Sequence, residues 1–356
     1  MRKHTLALIP GDGIGKEVIP AGMDVLNAVA RSDGGFTLET ESFPWSCQYY
    51  LDHGVMMPAD GMETLRRFDA IFFGAVGLPK SVPDHISLWG LILPIRKAFD
   101  QYANVRPVRL LPGIPGHLLT KTAKDIDFVV IRENTEGEYS GAGGRVQVGT
   151  PNEVVIQTTI FTRLGVERII RYAFELARTR RKKVTSATKS NAMQHVMVFW
   201  DEVFSQVAQD YPDVTTEKWH VDALAARFIT HPQTLDVVVG SNLFGDILSD
   251  IGGALMGSLG MPASANINPE RRYPSMFEPV HGSAPDIMGK GIANPLATIW
   301  AGAMMLDFLG EAAAAQRMRV AVEKVTAAGN ILTPDLGGSA KTGDVTAAVL
   351  RALAAG

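Results

Sequence analysis

Short apolar runs alternate along the chain with longer segments whose apolar residues recur at helical spacing. The short runs have the length and composition of buried strands and lie at residues 5–9, 70–73, 128–131 and 235–239. The longer helical patterns cover residues 14–30, 160–178, 245–259 and 295–309. This alternation predicts an α/β protein with a largely parallel sheet that is covered on both faces.

One segment departs from the alternation. Residues 138–159 are rich in glycine as far as Gly149 and then turn to β-branched residues. Such a segment is typical of extended chain, and no helical pattern accompanies it. We therefore predict a β-ribbon that lies outside the main sheet.

Composition narrows the class of protein. The 356 residues suggest two domains, and 46% hydrophobic with 20% charged residues rules out wholesale disorder. The net charge of −3 excludes a nucleic-acid binder that works by bulk charge. Cys47 is the single cysteine, which fits a reducing compartment. No signal peptide or membrane-spanning stretch is evident, so we expect a cytoplasmic protein without a membrane partner.

A glycine-rich turn joins the first predicted strand to the first helix. Gly11, Gly13 and Gly15 alternate there, which suits either a tight turn or a close approach of the backbone to a ligand. Lys16 occupies the place of the third glycine in the dinucleotide fingerprint G-x-G-x-x-G. The turn therefore argues against an ordinary Rossmann fold.

Two groups of charged residues are candidates for binding. Arg106 and Arg132 lie at or near the ends of apolar runs, and with Arg96 they would suit a dicarboxylate; singly, each could be a surface charge. Asp246 and Asp250 share a helix face, where their repulsion favours a hard cation between them, unless the face is simply solvated. Asp222 belongs with this acidic group. Lys189, Tyr139 and His281 lie at a strand end or in loops, and in isolation each is more often structural than catalytic.

Together these segments resemble the β-decarboxylating dehydrogenases, the family of isopropylmalate and isocitrate dehydrogenases. The likeness runs from residue 9 to residue 344, and its most specific parts are residues 133–139, 189–191, 245–250 and 278–286. Because these segments occur in the same order as in the family, chance does not explain the similarity.

The resemblance implies an isopropylmalate dehydrogenase-like fold, with two α/β domains around a mixed sheet. One domain would combine residues 1–101 and 257–356, and the other would comprise residues 102–256. A β-arm at about residues 139–160 would join two chains into a homodimer. The active sites would lie in the interdomain cleft and would be shared between the subunits.

The resemblance also implies roles for individual residues. Arg96, Arg106 and Arg132 would bind the substrate carboxylates. Asp246 and Asp250 would bind Mn²⁺ or Mg²⁺ together with Asp222 of the partner subunit, and the family also suggests a monovalent activator such as K⁺. The catalytic set would be Tyr139 as the acid that protonates the product carbon, Lys189 of the partner subunit as the group that assists hydroxyl deprotonation, and Asp222. The cofactor would contact His281, Gly282, Ser283, Ala284, Pro285, Asp286, Ile287 and Asn294.

Two segments indicate which cofactor and substrate to expect. Asp286 and Ile287 resemble the pair that meets the adenosine ribose in NAD-using members, and a carboxylate there would repel the 2′-phosphate of NADP. Residues 87–90, which include Trp89, resemble the segment of members that oxidise the C4 hydroxy diacids tartrate and D-malate. The sequence does not choose between these two substrates, and 3-isopropylmalate is the runner-up.

Two non-enzymatic functions are alternatives to an enzyme for this sequence. A regulatory subunit of this fold would keep the core and lose catalytic residues, whereas Lys189, Tyr139 and the aspartates are all present. A plain ligand-binding protein would not need them together. Reduction of NAD would separate an enzyme from both.

Overall fold

The computed structural model describes residues 1–355, and strands and helices alternate along most of the chain. The strands are β1 (Arg2–Gly11), β2 (Phe36–Ser42), β3 (Ala70–Ala75), β4 (Ala103–Arg109), β5 (Asp127–Glu133), β6 (Gly137–Val146), β7 (Val154–Ile160), β8 (Lys183–Thr188), β9 (Thr215–His220), β10 (Val237–Gly240), β11 (Ala263–Ile267) and β12 (Ser275–Pro279). The helices are α1 (Gly15–Asp33), α2 (Cys47–His53), α3 (Gly61–Leu65), α4 (Asp84–Ser87), α5 (Leu93–Ala98), α6 (Arg163–Arg178), α7 (Val196–Ala208), α8 (Val221–Thr230), α9 (Asn242–Leu255), α10 (Leu296–Phe308), α11 (Ala312–Ala328) and α12 (Thr342–Ala354). The predicted α/β class is confirmed.

The first compact unit contains residues 1–101, 109–123 and 253–356. Its strands lie in the order β2-β1-β3-β12-β11, and all neighbours are parallel except β11 and β12. Apolar side chains from β1, β3 and α5 form a core with the segment around α2. Helix α1 packs against α10 and α12.

Residues 109–123, which the sequence analysis assigns to the central domain, lie in this first unit. Arg109 donates a hydrogen bond to Glu323 at 2.6 Å. A Cβ atom at Gly113 would lie 1.9 Å from the carbonyl oxygen of Thr326, so the two backbones approach more closely than a side chain allows. These contacts fasten the segment to α11.

The second unit contains residues 102–108 and 124–252. Its strands lie in the order β4-β5-β10-β8-β9, and β5, β10, β8 and β9 run parallel to one another. Parallel strands bring their carboxyl ends to the same edge of the sheet. Residues 132–134, 189 and 240–242 therefore meet along this edge.

Helix α6 covers β5, β8 and β10 with the apolar face that the sequence predicts. It begins at Arg163 rather than at residue 160, because Ile160 ends β7 and the Thr162 hydroxyl accepts a hydrogen bond from the Gly165 amide at 3.0 Å. Helix α9 begins at Asn242, three residues earlier than predicted. There the Glu138 carboxylate accepts a hydrogen bond from the Leu243 amide at 3.0 Å.

The predicted ribbon is present as the antiparallel pair β6–β7, which forms a sheet of its own. A Cβ atom at Gly143 would lie 2.2 Å from the carbonyl oxygen of Ile156, so glycine lets the strands pair closely. The ribbon exposes a set of aliphatic side chains: Val146, Val148, Val154, Val155 and Ile156. Among the helices of residues 1–355, none has both the length and the apolar composition that a membrane crossing needs.

Candidate active site

Two predicted substrate arginines lie side by side in the second unit. Arg106 on β4 and Arg132 at the end of β5 are 6% and 2% exposed. Arg132 donates from Nε and Nη2 to the amide oxygen of Asn242, at 3.0 and 2.7 Å. The first residue of α9 thus sets the orientation of this guanidinium group.

Asp246, one turn further along α9, is the point on which both arginines converge. Its carboxylate pairs with Arg132 and lies 3.3 Å from Arg106 Nη1. Arg106 Nη1 also donates to the Ser249 hydroxyl at 2.6 Å. The structure therefore brings together two arginines and a carboxylate that the sequence only proposes as separate candidates.

Gly245 makes the crossing of Arg132 over α9 possible. A Cβ atom at this position would lie 2.5 Å from Cβ and 2.7 Å from Cγ of Arg132. No side chain fits there unless Arg132 moves, because real Cβ contacts are longer. Glycine is needed here for space and not for a special backbone conformation.

Asp250 lies a turn beyond Asp246 and reaches solvent, with 64% of its side chain exposed and Oδ1 4.0 Å from Arg106 Nη1. Desolvation is the main cause that raises its pKa, and the charge of Asp246 adds to the increase. Two carboxylates on one helix face supply the oxygen ligands that Mg²⁺ and Mn²⁺ prefer. No group of three metal-ligating side chains occurs within residues 1–355 of one chain, so Asp222 does not complete this pair there.

Tyr139 on β6 faces the same cluster. Its hydroxyl donates to Asp246 at 3.4 Å, and the Arg132 guanidinium lies 5.6 Å from the ring centre. Burial raises the pKa of this phenol, and the negative charge of Asp246 raises it further. The phenol consequently keeps its proton at neutral pH, as an acid must.

Lys189 and Asp222 form a second cluster in the same unit. The parallel pairing of β8 with β9 sets Thr188 opposite His220, so the residues that follow these strands lie close together. Lys189 Nζ is 3.0 Å from Asp222 Oδ2, and this hydrogen bond lowers the pKa of the carboxyl group. The side chain of Asp222 is 67% exposed, which leaves its second oxygen accessible to an outside ligand.

Arg96 lies in the first unit with a carboxylate that the sequence analysis did not single out. Its Nη2 donates to Glu278 Oε1 at 2.8 Å, and Asn266 donates to the same oxygen at 2.7 Å. Arg96 and Glu278 are both buried. Glu278 is the first residue of the specific segment 278–286, which was the signal that could have identified it.

The predicted cofactor loop packs against the glycine-rich turn within the first unit. The Ile14 amide donates to the Ser283 carbonyl at 2.8 Å, and a Cβ atom at Gly13 would lie 1.8 Å from the same oxygen. Burial lowers the pKa of His281, whose Nδ1 lies 2.9 Å from the Gly282 carbonyl oxygen. Gly13 thus gives the loop room to pack closely against the turn.

The other predicted cofactor residues lie along this loop. Gly282, Pro285 and Asp286 are exposed, whereas Ala284 and Ile287 pack against a small apolar cluster with Ile14 and Val18. Asn294 is buried and donates to Asp335 Oδ2 at 3.0 Å. An exposed carboxylate at Asp286 is accessible to a ligand from solution.

The folded chain presents buried arginines, paired carboxylates, a protonated phenol and a lysine on an α/β scaffold, a combination suited to an enzyme that acts on small anionic substrates. The model of the isocitrate/isopropylmalate dehydrogenase family matches residues 5–349, and the chain therefore belongs to this family. The protein is an oxidoreductase with the fold of that family, and the use of NAD and a metal is typical of its members. The members for which the family is named act on small hydroxy acids.

Several relatives match over almost their full length. The chain is 59% identical over 355 residues to a probable tartrate dehydrogenase/decarboxylase of Agrobacterium vitis, with 99% of both sequences covered. It is 58% identical over 358 residues to the D-malate dehydrogenase (decarboxylating) of Escherichia coli strain K12, again with 99% of both covered. The crystal structure of isocitrate dehydrogenase from Methylococcus capsulatus matches with a TM-score of 0.88 and 36% identity, covering 98% of this chain and 99% of that one.

Proposed function

We propose that the protein oxidises the C4 2-hydroxy diacids tartrate and D-malate with NAD, assisted by Mn²⁺ or Mg²⁺. The substrate assignment is carried by the relatives named for tartrate and D-malate, which are similar to this chain from end to end. Trp89 supports it. Its indole lies on an irregular helical turn before α5, with Lys97 Nζ 4.6 Å from the ring centre. If this turn borders the substrate, as the family resemblance implies, the indole would leave less room for a branched side chain.

Arg106 and Arg132 bind the substrate carboxylates in this proposal. Guanidinium groups hold carboxylates with two directed hydrogen bonds, and both arginines already lie against a carboxylate, that of Asp246. A cation held by Asp246 would draw this carboxylate away from the arginines and would leave both guanidinium groups able to bind the substrate carboxylates. Arg96 is the third proposed substrate arginine.

Asp246 and Asp250 would hold the divalent ion with Asp222 of the partner subunit. The oxygen donors fit a hard cation, and each chain supplies the pair and the single ligand on separate elements. The bound ion would act as a Lewis acid on the oxygen at the reacting carbon. K⁺ is proposed as a monovalent activator on family grounds alone.

Proton transfer is assigned to Lys189 and Tyr139. Bound NAD would accept the hydride from the carbinol carbon, and Lys189 of the partner subunit would assist removal of the hydroxyl proton. Oxidation of D-malate gives oxaloacetate, and loss of CO₂ leaves the C–C bond electrons in an enolate. Tyr139 would then protonate the enolate carbon to give pyruvate. Tartrate carries a second hydroxyl on that carbon, so its oxidation can end at oxaloglycolate.

The loop from His281 to Asn294 is proposed to bind NAD. Asp286 is exposed on this loop, where its carboxylate can accept hydrogen bonds from ribose hydroxyls and repel a 2′-phosphate. The exposed aliphatic side chains of the β6–β7 ribbon are proposed to pair two chains into a homodimer. The cytoplasmic location stays a prediction of the sequence.

Steady-state kinetics with a substrate panel tests this function. The panel contains tartrate stereoisomers, D-malate, isopropylmalate and isocitrate, each with Mn²⁺ and either NAD or NADP, and CO₂ is measured beside NADH. We expect turnover of C4 diacids with NAD, CO₂ from D-malate, and poor use of isopropylmalate, isocitrate and NADP. If isopropylmalate exceeds both C4 diacids by about an order of magnitude in kcat/KM, the runner-up function replaces this one.

A further inference from the structure

Asp201 on α7 joins the two chain segments that carry Lys189 and Asp222. Its side chain is only 16% exposed, although no role in substrate, metal or cofactor binding falls to it. The Ser190 hydroxyl donates to Asp201 Oδ2 at 2.9 Å. Lys218 Nζ lies 3.6 Å from the same oxygen. One carboxylate oxygen thus holds a residue from each of two neighbouring segments.

Both of these residues stand next to the proposed chemistry. Ser190 directly follows Lys189 in the loop after β8. Lys218 lies on β9, where it pairs with Ser186 of β8, and this strand leads through His220 into Asp222. The relative position of these two segments sets the 3.0 Å contact between Lys189 and Asp222.

The loop that begins at Lys189 closes largely on itself. The backbone carbonyl oxygen of Lys189 accepts hydrogen bonds from the amides of Ala192 and Met193, at 3.0 and 2.9 Å. The Ser190 amide donates to the Thr188 hydroxyl at 3.3 Å. These bonds shape the turn, whereas the bond from Ser190 to Asp201 ties the turn to a helix.

We propose that Asp201 is a positioning residue, which fixes Lys189 and Asp222 in the geometry that the reaction requires. The inference rests on the proposed function, in which these two residues deprotonate the hydroxyl and hold the cation. The proposed substrate arginines lie on β4, β5 and α5 and do not depend on this bond. Loss of the Asp201 carboxylate should therefore lower kcat and leave the KM for the diacid nearly unchanged.

Five variants of the protein test the inference by kinetics with D-malate, NAD and Mn²⁺: Asp201→Ala, Asp201→Asn, Ser190→Ala, the double variant of Ser190→Ala with Asp201→Ala, and Glu202→Ala. Asp201→Ala should lower kcat about 10- to 100-fold with less than about a threefold change in KM. Asp201→Asn keeps an oxygen that accepts from Ser190 and should stay within about threefold of wild type. Adding Asp201→Ala to the Ser190→Ala variant should lower kcat by less than about a further threefold, because both changes break the same hydrogen bond. Glu202→Ala, at the adjacent exposed residue, is the matched control and should behave as wild type.

Amide hydrogen exchange on the protein without substrate gives a readout that does not need activity. Exchange in residues 189–195 should be faster in Asp201→Ala than in wild type or Glu202→Ala, with similar melting temperatures for all three. Unchanged exchange, wild-type kcat in Asp201→Ala, or independent effects of the Ser190 and Asp201 changes would each overturn the inference. If wild type oxidises no C4 diacid, the proposed function fails, and the exchange comparison still decides whether Asp201 anchors the loop.

Discussion

Glu133 is a fully buried carboxyl group at the end of β5, next to Arg132, one of the proposed substrate arginines. It accepts hydrogen bonds from the Thr135 amide at 2.9 Å, the Thr135 hydroxyl at 2.8 Å and the Glu136 amide at 2.8 Å. Desolvation nonetheless dominates and raises its pKa to about 7. The turn after β5 is therefore built around a group that titrates near neutrality.

This pKa makes the stability of the protein depend on pH in a defined direction. A carboxyl group with a raised folded-state pKa contributes its full stability below its ordinary pKa of 4.5 and loses it as pH rises through about 7. Glu133→Gln removes the titration. The melting temperature of wild type relative to the variant should therefore be highest at pH 5 and should fall by pH 7.5, where the stability that comes from the raised pKa is lost.

Melting temperatures of both proteins between pH 5 and 7.5 check this expectation. Glu39→Gln, a change at an exposed carboxylate on β2, is the control and should keep the wild-type pH dependence. Parallel pH curves for wild type and Glu133→Gln would mean that Glu133 does not titrate in this range.

At the scale of elements, helix α9 carries the largest share of the site. It supplies Asn242 to orient Arg132, Asp246 to pair with two arginines, and Asp250 at the solvent side. Its amino end is fixed by Glu138, which accepts from the Ser241 hydroxyl at 2.8 Å and from the Leu243 amide. Because Glu138 precedes Tyr139, the same contact links the ribbon to the helix.

The close crossing at Gly245 is the most sensitive point of this helix. Gly245→Ala should displace Arg132, because the new methyl group would lie within 2.5 Å of its Cβ. We expect a rise in the KM for the diacid of about 10-fold or more and a loss of roughly 1–3 kcal/mol in stability from overpacking. Substrate titrations and thermal melts measure the two effects.

Gly343→Ala in α12 is the matched control for this prediction. Apart from its chain neighbours and the backbone of its own helix, nothing lies within 4 Å of the Cβ position there, so the change should leave the kinetics unchanged and stabilise the helix by at most about 0.5–1 kcal/mol. A wild-type KM for Gly245→Ala would show that Arg132 does not set substrate affinity.

At the scale of the whole molecule, each active site is proposed to combine Tyr139 of one chain with Lys189 of the other. Homodimers of Tyr139→Phe and of Lys189→Ala should both be impaired. A mixed dimer has one site with both native residues, so we expect about half of the wild-type kcat per dimer. Differently tagged chains allow the mixed dimer to be purified and assayed, and activity no higher than that of the parents would place both residues in one chain.

Local spacing along the chain is sufficient to predict part of this site. Asp246 and Asp250 share a helix face because four residues make about one helical turn. The ribbon follows from its glycine and β-branched composition, and α6 follows from its apolar stripe. The starts of α6 and α9 differ from the pattern, since Thr162 and Glu138 cap these helices through contacts that periodicity does not encode.

The sequence by itself determined the α/β class, the ribbon and, through four specific segments in family order, the membership that the comparisons confirm. Only the tertiary structure decided that Arg106 and Arg132 meet at Asp246, across 140 and 114 residues of chain, and that Arg96 meets Glu278 across 182. It also revealed Ser249 and Asn242 as contacts of the candidate arginines, and Asp201 as a contact of Ser190 beside the candidate Lys189. The physical reason is that helical and strand periodicity arises from neighbours along the chain, whereas these charges converge because sheet pairing and packing bring distant segments together.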